Sequence, residues 1–393
     1  MEKKYFLKTF LVFKSLISLI YLNFLILFSK IFNKKIFFFY YPKKLVTGVH
    51  TFVIEDLFYE YTKNSTVIFG HQANHLKLNK NYVYIKESFL EFLFGVDFFI
   101  SSYICDKFIK KSKKIYINHH IYDSPMVSPE KEKKMCERLS SYEVIFVASK
   151  NLENFIKNLF ERYKKENDKI QIPKLIEIGY PRYDYLYNKM MKIENKVKNS
   201  VLISPTNFDS DPNFSLHNNL NTLIKNLIDN TDFNIIFRPH PSNRLDLRVS
   251  KLVDNFKNAK RFHYDESDDY TQIYSKSFCM IADHSDTAYM FPFLTLCPVI
   301  FYSNKNLESF INSNDSEIKS YDYKNLNYFK NRDKIGMVIS DVNSIVDKIN
   351  LIKKKQEAFK NNIISIRNEI TYLGSSKNRF YEEMNRMSSR WLK

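Results

Sequence analysis

The chain has 393 residues, enough for two domains at roughly 150 residues each, and it is 44% hydrophobic and 16% aromatic, which fills two cores and excludes intrinsic disorder. Only 6 Gly and 11 Pro are present, which excludes collagen-like and low-complexity classes and argues against a glycine-rich nucleotide loop. The 60 Lys+Arg outnumber the 43 Asp+Glu to give +17, which points to anionic partners: nucleic acid, an acidic membrane face, a phosphorylated polymer or a nucleotide-activated donor.

Residues 1–44 read as a membrane-associating segment. Tyr5–Phe32 is the most apolar stretch, and SLISLIYLNFLILFS between Lys14 and Lys30 carries no charge. That run is shorter than the about 20 residues a spanning helix needs. No small-residue cleavage site follows it, so a secretory signal is a poor fit. Lysines on both sides, including Lys8, Lys34 and Lys35, suit a peripheral or monotopic helix on the anionic, cytoplasmic face of the cell membrane. A spanning helix, with Lys14 snorkelling, and a buried first helix of the globular domain are the alternative readings.

Beyond residue 45 the chain alternates short apolar runs with helix-length patterns. Predicted strands lie at Thr66–Gly70, Tyr82–Lys86, Val96–Ser101, Lys114–His119, Glu143–Ala148 and Lys174–Ile178. A second series lies at Val201–Ser204, Asn234–Arg238, Phe278–Ala282 and Val299–Tyr302. Helical patterns cover Asn151–Lys165, Leu216–Ile228, Val342–Thr371 and Arg379–Trp391. Apolar strands separated by helices predict parallel sheets covered on both faces, here as two α/β domains, 45–190 and 191–393. The polar stretch NKMMKIENKVKNS, residues 188–200, marks the boundary.

Ligands bind open α/β sheets at the carboxyl ends of strands, so polar residues there are the candidates. His71 and His75 in GHQANH have metal-like spacing, but Gln72 stands where the metalloprotease motif needs glutamate. His119 and His120, followed by Asp123, end a first-domain strand. One of them suits a general base, and extended alternation predicts that only one faces the cleft. Ser204-Pro205-Thr206-Asn207 reads as a turn, with donor contact as the alternative. Arg238-Pro239-His240-Pro241 fixes an arginine and an imidazole rigidly enough to hold a phosphate. Asp283-His284-Ser285-Asp286-Thr287 can cap a helix or cradle a phosphate with hydroxyls and backbone N–H groups. Cys105, Cys136, Cys279 and Cys297 have no paired spacing, which predicts neither zinc nor disulfides and fits a reducing cytoplasm.

Taken together, IGYPRYDYL (Ile178–Leu186), VLISPT (Val201–Thr206), FRPHP (Phe237–Pro241) and IADHSDTAYMFPFLTLCPVIFY (Ile281–Tyr302) resemble the CDP-glycerol glycerophosphotransferase family of teichoic-acid and capsular polymer synthesis. The resemblance implies a GT-B-like fold, two Rossmann-like domains facing a cleft, and transfer of glycerol phosphate from CDP-glycerol to an anionic glycopolymer or lipid-linked acceptor. No cofactor and no metal are implied. It further implies catalytic roles for His120 and His240, and donor contacts from Arg238, Thr206, Asp283, Ser285 and Thr287. Where the family has D-x-S-S, this chain has Asp286 in place of the second serine, a carboxylate unfavourable near a diphosphate unless it meets a hydroxyl or a cation. Where the family has H-G-T-P, the sequence reads His120-Ile121-Tyr122-Asp123-Ser124-Pro125. The alternatives are a glycosyltransferase of the same architecture using a CMP-sugar or other nucleotide-activated donor in capsule or lipooligosaccharide synthesis, and a non-catalytic membrane scaffold. A nucleic-acid-binding role is disfavoured, since the charge permits it but no recognised motif supports it.

Overall fold

The computed structural model describes residues 2–41, 57, 65–72, 82–123, 129–194, 197–209, 212–267, 269–312 and 323–391. Its first sheet contains β1 (Lys35–Tyr41), β2 (Ser65–His71), β3 (Tyr82–Tyr84), β4 (Phe98–Ser101), β5 (Lys113–Ile117), β6 (Val144–Val147) and β7 (Lys174–Glu177). The spatial order is β3-β2-β1-β4-β5-β6-β7, and the pairs are parallel. The second sheet contains β8 (Ser200–Ile203), β9 (Asn234–Phe237), β10 (Phe262–Tyr264), β11 (Ser277–Ala282), β12 (Val299–Tyr302) and β13 (Gly336–Ile339), in the order β10-β9-β8-β11-β12-β13 and again parallel. The two predicted series of strands are therefore present, as two doubly covered α/β domains. All four cysteines are free and buried.

The expected limits of 1–44 and 191–393 need correction at both ends of the chain. Lys35–Tyr41, placed by sequence in the membrane segment, is a central strand between β2 and β4. Its aromatic run alternates between two cores: Phe37, Phe39 and Tyr41 enter one, and Ile36, Phe38 and Tyr40 the other. A strand buried on both faces has no polar beat to announce it, and the apolar helix before it hides the join. At the other end, helix Ser376–Trp391 leaves the second domain and lays Phe380, Met384 and Met387 into the first domain's core, with Phe380 edge-on to Phe146. Strands β10 and β13, three and four residues long, are additions to the predicted series.

The N-terminal helix, Glu2–Ile31, is fastened along one side. Leu22 and Ile26 are buried in the first domain's outer core. Ser15 accepts from the Lys86 amide at 3.2 Å, Thr66 donates to Ser29 at 2.7 Å, and Lys30 pairs with Asp97 at 2.7 Å. The opposite side exposes Phe13, Ile17, Ile20, Phe24, Leu27 and Ile31. Phe92 and Phe94, also exposed, belong to a loop held to Asn23 of this helix through the Phe92 carbonyl and the Phe94 amide.

Motif IGYPRYDYL builds the crossing between the domains. Gly179 has φ 78°, and a Cβ there would meet the Thr371 carbonyl oxygen at 2.8 Å. Pro181 opens helix Pro181–Met191. Asp184 then accepts the Gly374 amide at 2.7 Å and the Ser376 amide at 3.0 Å, capping the returning C-terminal helix.

A second set of contacts closes the domains on each other. Buried Asp123 accepts the amides of Asn327 and Tyr328, both at 2.8 Å. Tyr122 stacks on Tyr289 with centroids 4.5 Å apart. Tyr323 of the second domain donates to Glu132 of the first at 2.9 Å, and Tyr163 donates to the same carboxylate at 3.3 Å. Burial pushes both Asp123 and Glu132 up to about 7, against the opposing pull of these hydrogen bonds.

Asp123→Ala leaves two buried amides without their acceptor and is expected to destabilise the protein by about 1–3 kcal/mol per amide, seen as a lower thermal midpoint. A carboxyl raised in the folded state contributes stability that is full below its unfolded value and is lost as pH rises through its folded value. Thermal midpoints should therefore fall as pH rises through about 7, and fall less steeply in Asp123→Asn.

Candidate active site

The site is assembled where the carboxyl ends of β5, β8, β9 and β11 give way to loops. After β5, buried Asn118 accepts the His120 amide at 2.8 Å, a tight turn that ends the extended geometry. The rings of His119 and His120 consequently lie 4.3 Å apart, on the same side. The expectation that adjacent side chains would point oppositely fails here because alternation holds only inside the strand. His119 is gathered into the first domain: its Nδ1 lies 2.9 Å from the Tyr116 hydroxyl, and its carbonyl accepts from Tyr180 at 2.5 Å. His120 instead reaches across the cleft, where its Nδ1 pairs with the Asp286 carboxylate of the second domain.

Asp286 precedes helix Thr287–Thr295 but makes no side-chain cap to it. Its neighbours Ser285 and Thr287 bring their hydroxyl oxygens within 2.9 Å of each other at that helix's start. Tyr328 donates to the Ser285 carbonyl at 3.1 Å, so the segment is braced from the element that Asp123 holds.

Asp283, expected to touch the donor, is buried and turned inward. One carboxylate oxygen accepts the Thr206 amide at 2.8 Å and the other the Leu216 amide at 3.0 Å. A carboxylate with both oxygens engaged on backbone amides shapes the loop that presents Thr206. Thr206 itself is half-buried at the end of β8.

Arg238 is also committed. Its guanidinium pairs with Asp265 and lies within 3.4 Å of the Ser267 hydroxyl. Its Cζ lies 5.2 Å from the centre of the Tyr270 ring. The same ring meets Arg182 of motif IGYPRYDYL at 5.8 Å, and Arg182 donates to the Tyr270 hydroxyl at 2.8 Å. Two guanidiniums from different domains thus share one aromatic residue. His240 is half-buried, and its Nδ1 accepts the Ser242 amide at 3.2 Å. In the neutral ring this puts the proton on Nε2, which makes that nitrogen a donor.

The structure thus joins His120 to the Ser285–Thr287 segment and joins Thr206 to it through Asp283. Sequence reasoning missed Arg182, Tyr270 and the partner of Asp286. Arg182 was visible inside its motif, whereas the Asp286 contact spans 166 residues and leaves no local pattern. His71 is buried at the end of β2, edge-on to Tyr82 and Tyr84, while His75, Ser124 and Pro125 lie outside the described residues. Among the described residues, no group of three His, Cys, Asp or Glu side chains could hold a metal ion.

Solved structures of the Wall Teichoic Acid Polymerase TagF superpose with a TM-score of 0.61 at 16% identity, covering 91% of this chain and 90% of that one. A TagF variant soaked with CDPG gives 0.60 at 17%, covering 92% and 90%. An S. aureus MnaA-UDP co-structure gives 0.60 at 11%, covering 91% and 97%. At these identities the likeness is one of fold, and it is the two-domain GT-B-like fold. No curated protein sequence matches the chain significantly. The family model described as CDP-Glycerol:Poly(glycerophosphate) glycerophosphotransferase, however, matches residues 22–382. The chain, with its cleft histidine facing the Ser285–Thr287 segment, therefore belongs to the CDP-glycerol:poly(glycerophosphate) glycerophosphotransferase family.

Proposed function

We propose that the protein transfers glycerol phosphate from CDP-glycerol to the hydroxyl of a cell-surface glycopolymer precursor. The observation that carries this reading is the placement of His120, a first-domain imidazole, directly across the cleft from the second-domain helix start at Ser285–Thr287. A helix start with two hydroxyls favours the charge of a diphosphate. An imidazole facing it is placed to take the proton of an incoming hydroxyl. In this assignment Ser285, Thr287 and Thr206 receive the donor's diphosphate, and His240 donates to it from Nε2. Arg238, neutralised by Asp265, holds the loop and Tyr270 in place. Arg182 brings a second positive charge to that ring. The hydroxyl oxygen attacks the glycerol-bearing phosphorus, the bond from that phosphorus to the bridging oxygen breaks, and CMP leaves with the bond's electron pair.

The acceptor reading is a lipid-linked, anionic polymer worked on at the cytoplasmic face of the membrane. The N-terminal helix supports it. Residues Thr9–Ile31 are long and apolar enough to cross a bilayer, with mean hydropathy 2.1. Yet Ser15, Leu22, Ile26, Ser29 and Lys30 fasten one side of that helix to the first domain. A helix so fastened cannot stand upright in the bilayer without carrying the domain's sheet into it, so the geometry favours a monotopic helix with its outer face in the leaflet.

Purified protein in detergent, given CDP-glycerol and a lipid-linked acceptor extract, is expected to release CMP. His120→Ala should lower kcat by about 10²–10⁴-fold. Release from CMP-sugars or UDP-sugars instead would replace the donor and retain the fold. For the membrane, the full chain should sediment with vesicles containing anionic lipid. The double change Ile20→Glu and Phe24→Glu, on the exposed face, should abolish sedimentation with no change in thermal midpoint. Sedimentation of that variant equal to wild type would refute the surface assigned here.

A further inference from the structure

Asp286 stands where the resembling family places the second serine of its D-x-S-S block, and that exchange puts a carboxylate beside the expected seat of a diphosphate. Two features of its geometry show what the carboxylate does instead. At the residue before a helix, an aspartate ordinarily accepts an amide from the first turn, and giving up that cap is unfavourable. Asp286 makes no such bond, and its backbone is already helical at φ −58° and ψ −28°. Its side chain is instead directed across the domain boundary onto His120 Nδ1. The pair is reachable from the cleft, with 33% of the His120 side chain and 34% of the Asp286 side chain exposed. His119 Nδ1 is engaged by the Tyr116 hydroxyl, so the contact with Asp286 is made by only one of two adjacent imidazoles.

We propose that Asp286 is the positioning residue for the base. By accepting from Nδ1–H it fixes the tautomer and plane of His120, so that Nε2 is the nitrogen presented to the acceptor hydroxyl. This rests on the transfer reading above. In the step, the hydroxyl proton passes to His120 Nε2 as the oxygen–phosphorus bond forms and the bond to CMP's bridging oxygen breaks. The resulting imidazolium stands against the Asp286 carboxylate. The negative charge that would repel the donor is thereby balanced when charge builds up at the phosphorus. The domains must be closed for the pair to form, which makes the base competent only when the donor helix is opposite it.

The test is a cycle of Asp286→Asn, His120→Ala and the double variant, with wild type as reference, reading CMP release from CDP-glycerol. Asp286→Asn keeps the shape, and is expected to lower kcat by about 10²-fold or more while KM for CDP-glycerol stays within about threefold. In the double variant the loss should equal that of His120→Ala alone, because a positioning residue has nothing left to position. Multiplying losses, or an unchanged kcat in Asp286→Asn, would overturn the proposal, as would a tighter KM as the only effect. A readout independent of turnover is the ¹⁵N spectrum of histidine-labelled protein. The neutral His120 ring should be the Nδ1–H tautomer in wild type and lose that preference in Asp286→Asn. An Nε2–H tautomer in wild type would sink the pairing whatever the donor. Failure of wild type to use CDP-glycerol, with the Nδ1–H tautomer present, would overturn the donor assignment and leave the pair standing.

Discussion

A transfer site split between two domains exists only if the domains are held at one separation, and here buried polar contacts and ring stacking join the apolar core that runs through both domains in fixing it. Asp123 takes two amides of the second domain, Glu132 takes one hydroxyl from each domain, and Tyr122 lies flat on Tyr289. Each is a group whose partner cannot be replaced by water once it is buried, so partial separation is penalised at every one. The Tyr328 amide held by Asp123 belongs to the residue whose hydroxyl braces Ser285. The Asp123 contacts and helix Thr287–Thr295 are therefore one mechanical unit, and His120 sits three residues before Asp123 on the same loop.

Motif IGYPRYDYL joins the two domains through the protein's own contacts. In IGYPRYDYL the glycine allows a close pass beside the Thr371 carbonyl, the proline starts a helix and the aspartate caps another. The tyrosine holds the His119 carbonyl, and the arginine carries the first domain's positive charge to Tyr270. Sequence motifs of this kind invite a reading as ligand contacts. Here the glycine, Tyr180 and Asp184 meet the protein's own backbone, and Arg182 faces an aromatic ring.

How much was legible in the sequence follows from the range of the forces involved. Strands such as Val201–Ser204 and Phe278–Ala282 were readable because burial on both faces of a sheet writes a short apolar run bounded by polar residues. The same rule concealed β1, whose apolar run abuts an apolar helix with only a few residues between them. Arg238 and Asp283 were legible as strand-end residues, but their internal partners were not: Asp265 for the one, and the Thr206 and Leu216 amides for the other. Nothing in local spacing records such partners. The Asp286 carboxylate shows this most plainly: alone it looks like damage to a phosphate site, and its meaning appears only when His120 is brought against it.

The return of helix Ser376–Trp391 to the first domain also governs the order in which the molecule is completed. Phe380, Met384 and Met387 close a core whose other walls, from Phe37 to Ile178, are synthesised before the whole second domain. During translation that core stays open on one side while the second domain is still emerging. The N-terminal helix, with its outward row of phenylalanine, leucine and isoleucine, is by then already exposed. A nascent chain in that state offers one apolar surface on its first helix and another awaiting its own last helix, and the two must be kept from finding each other.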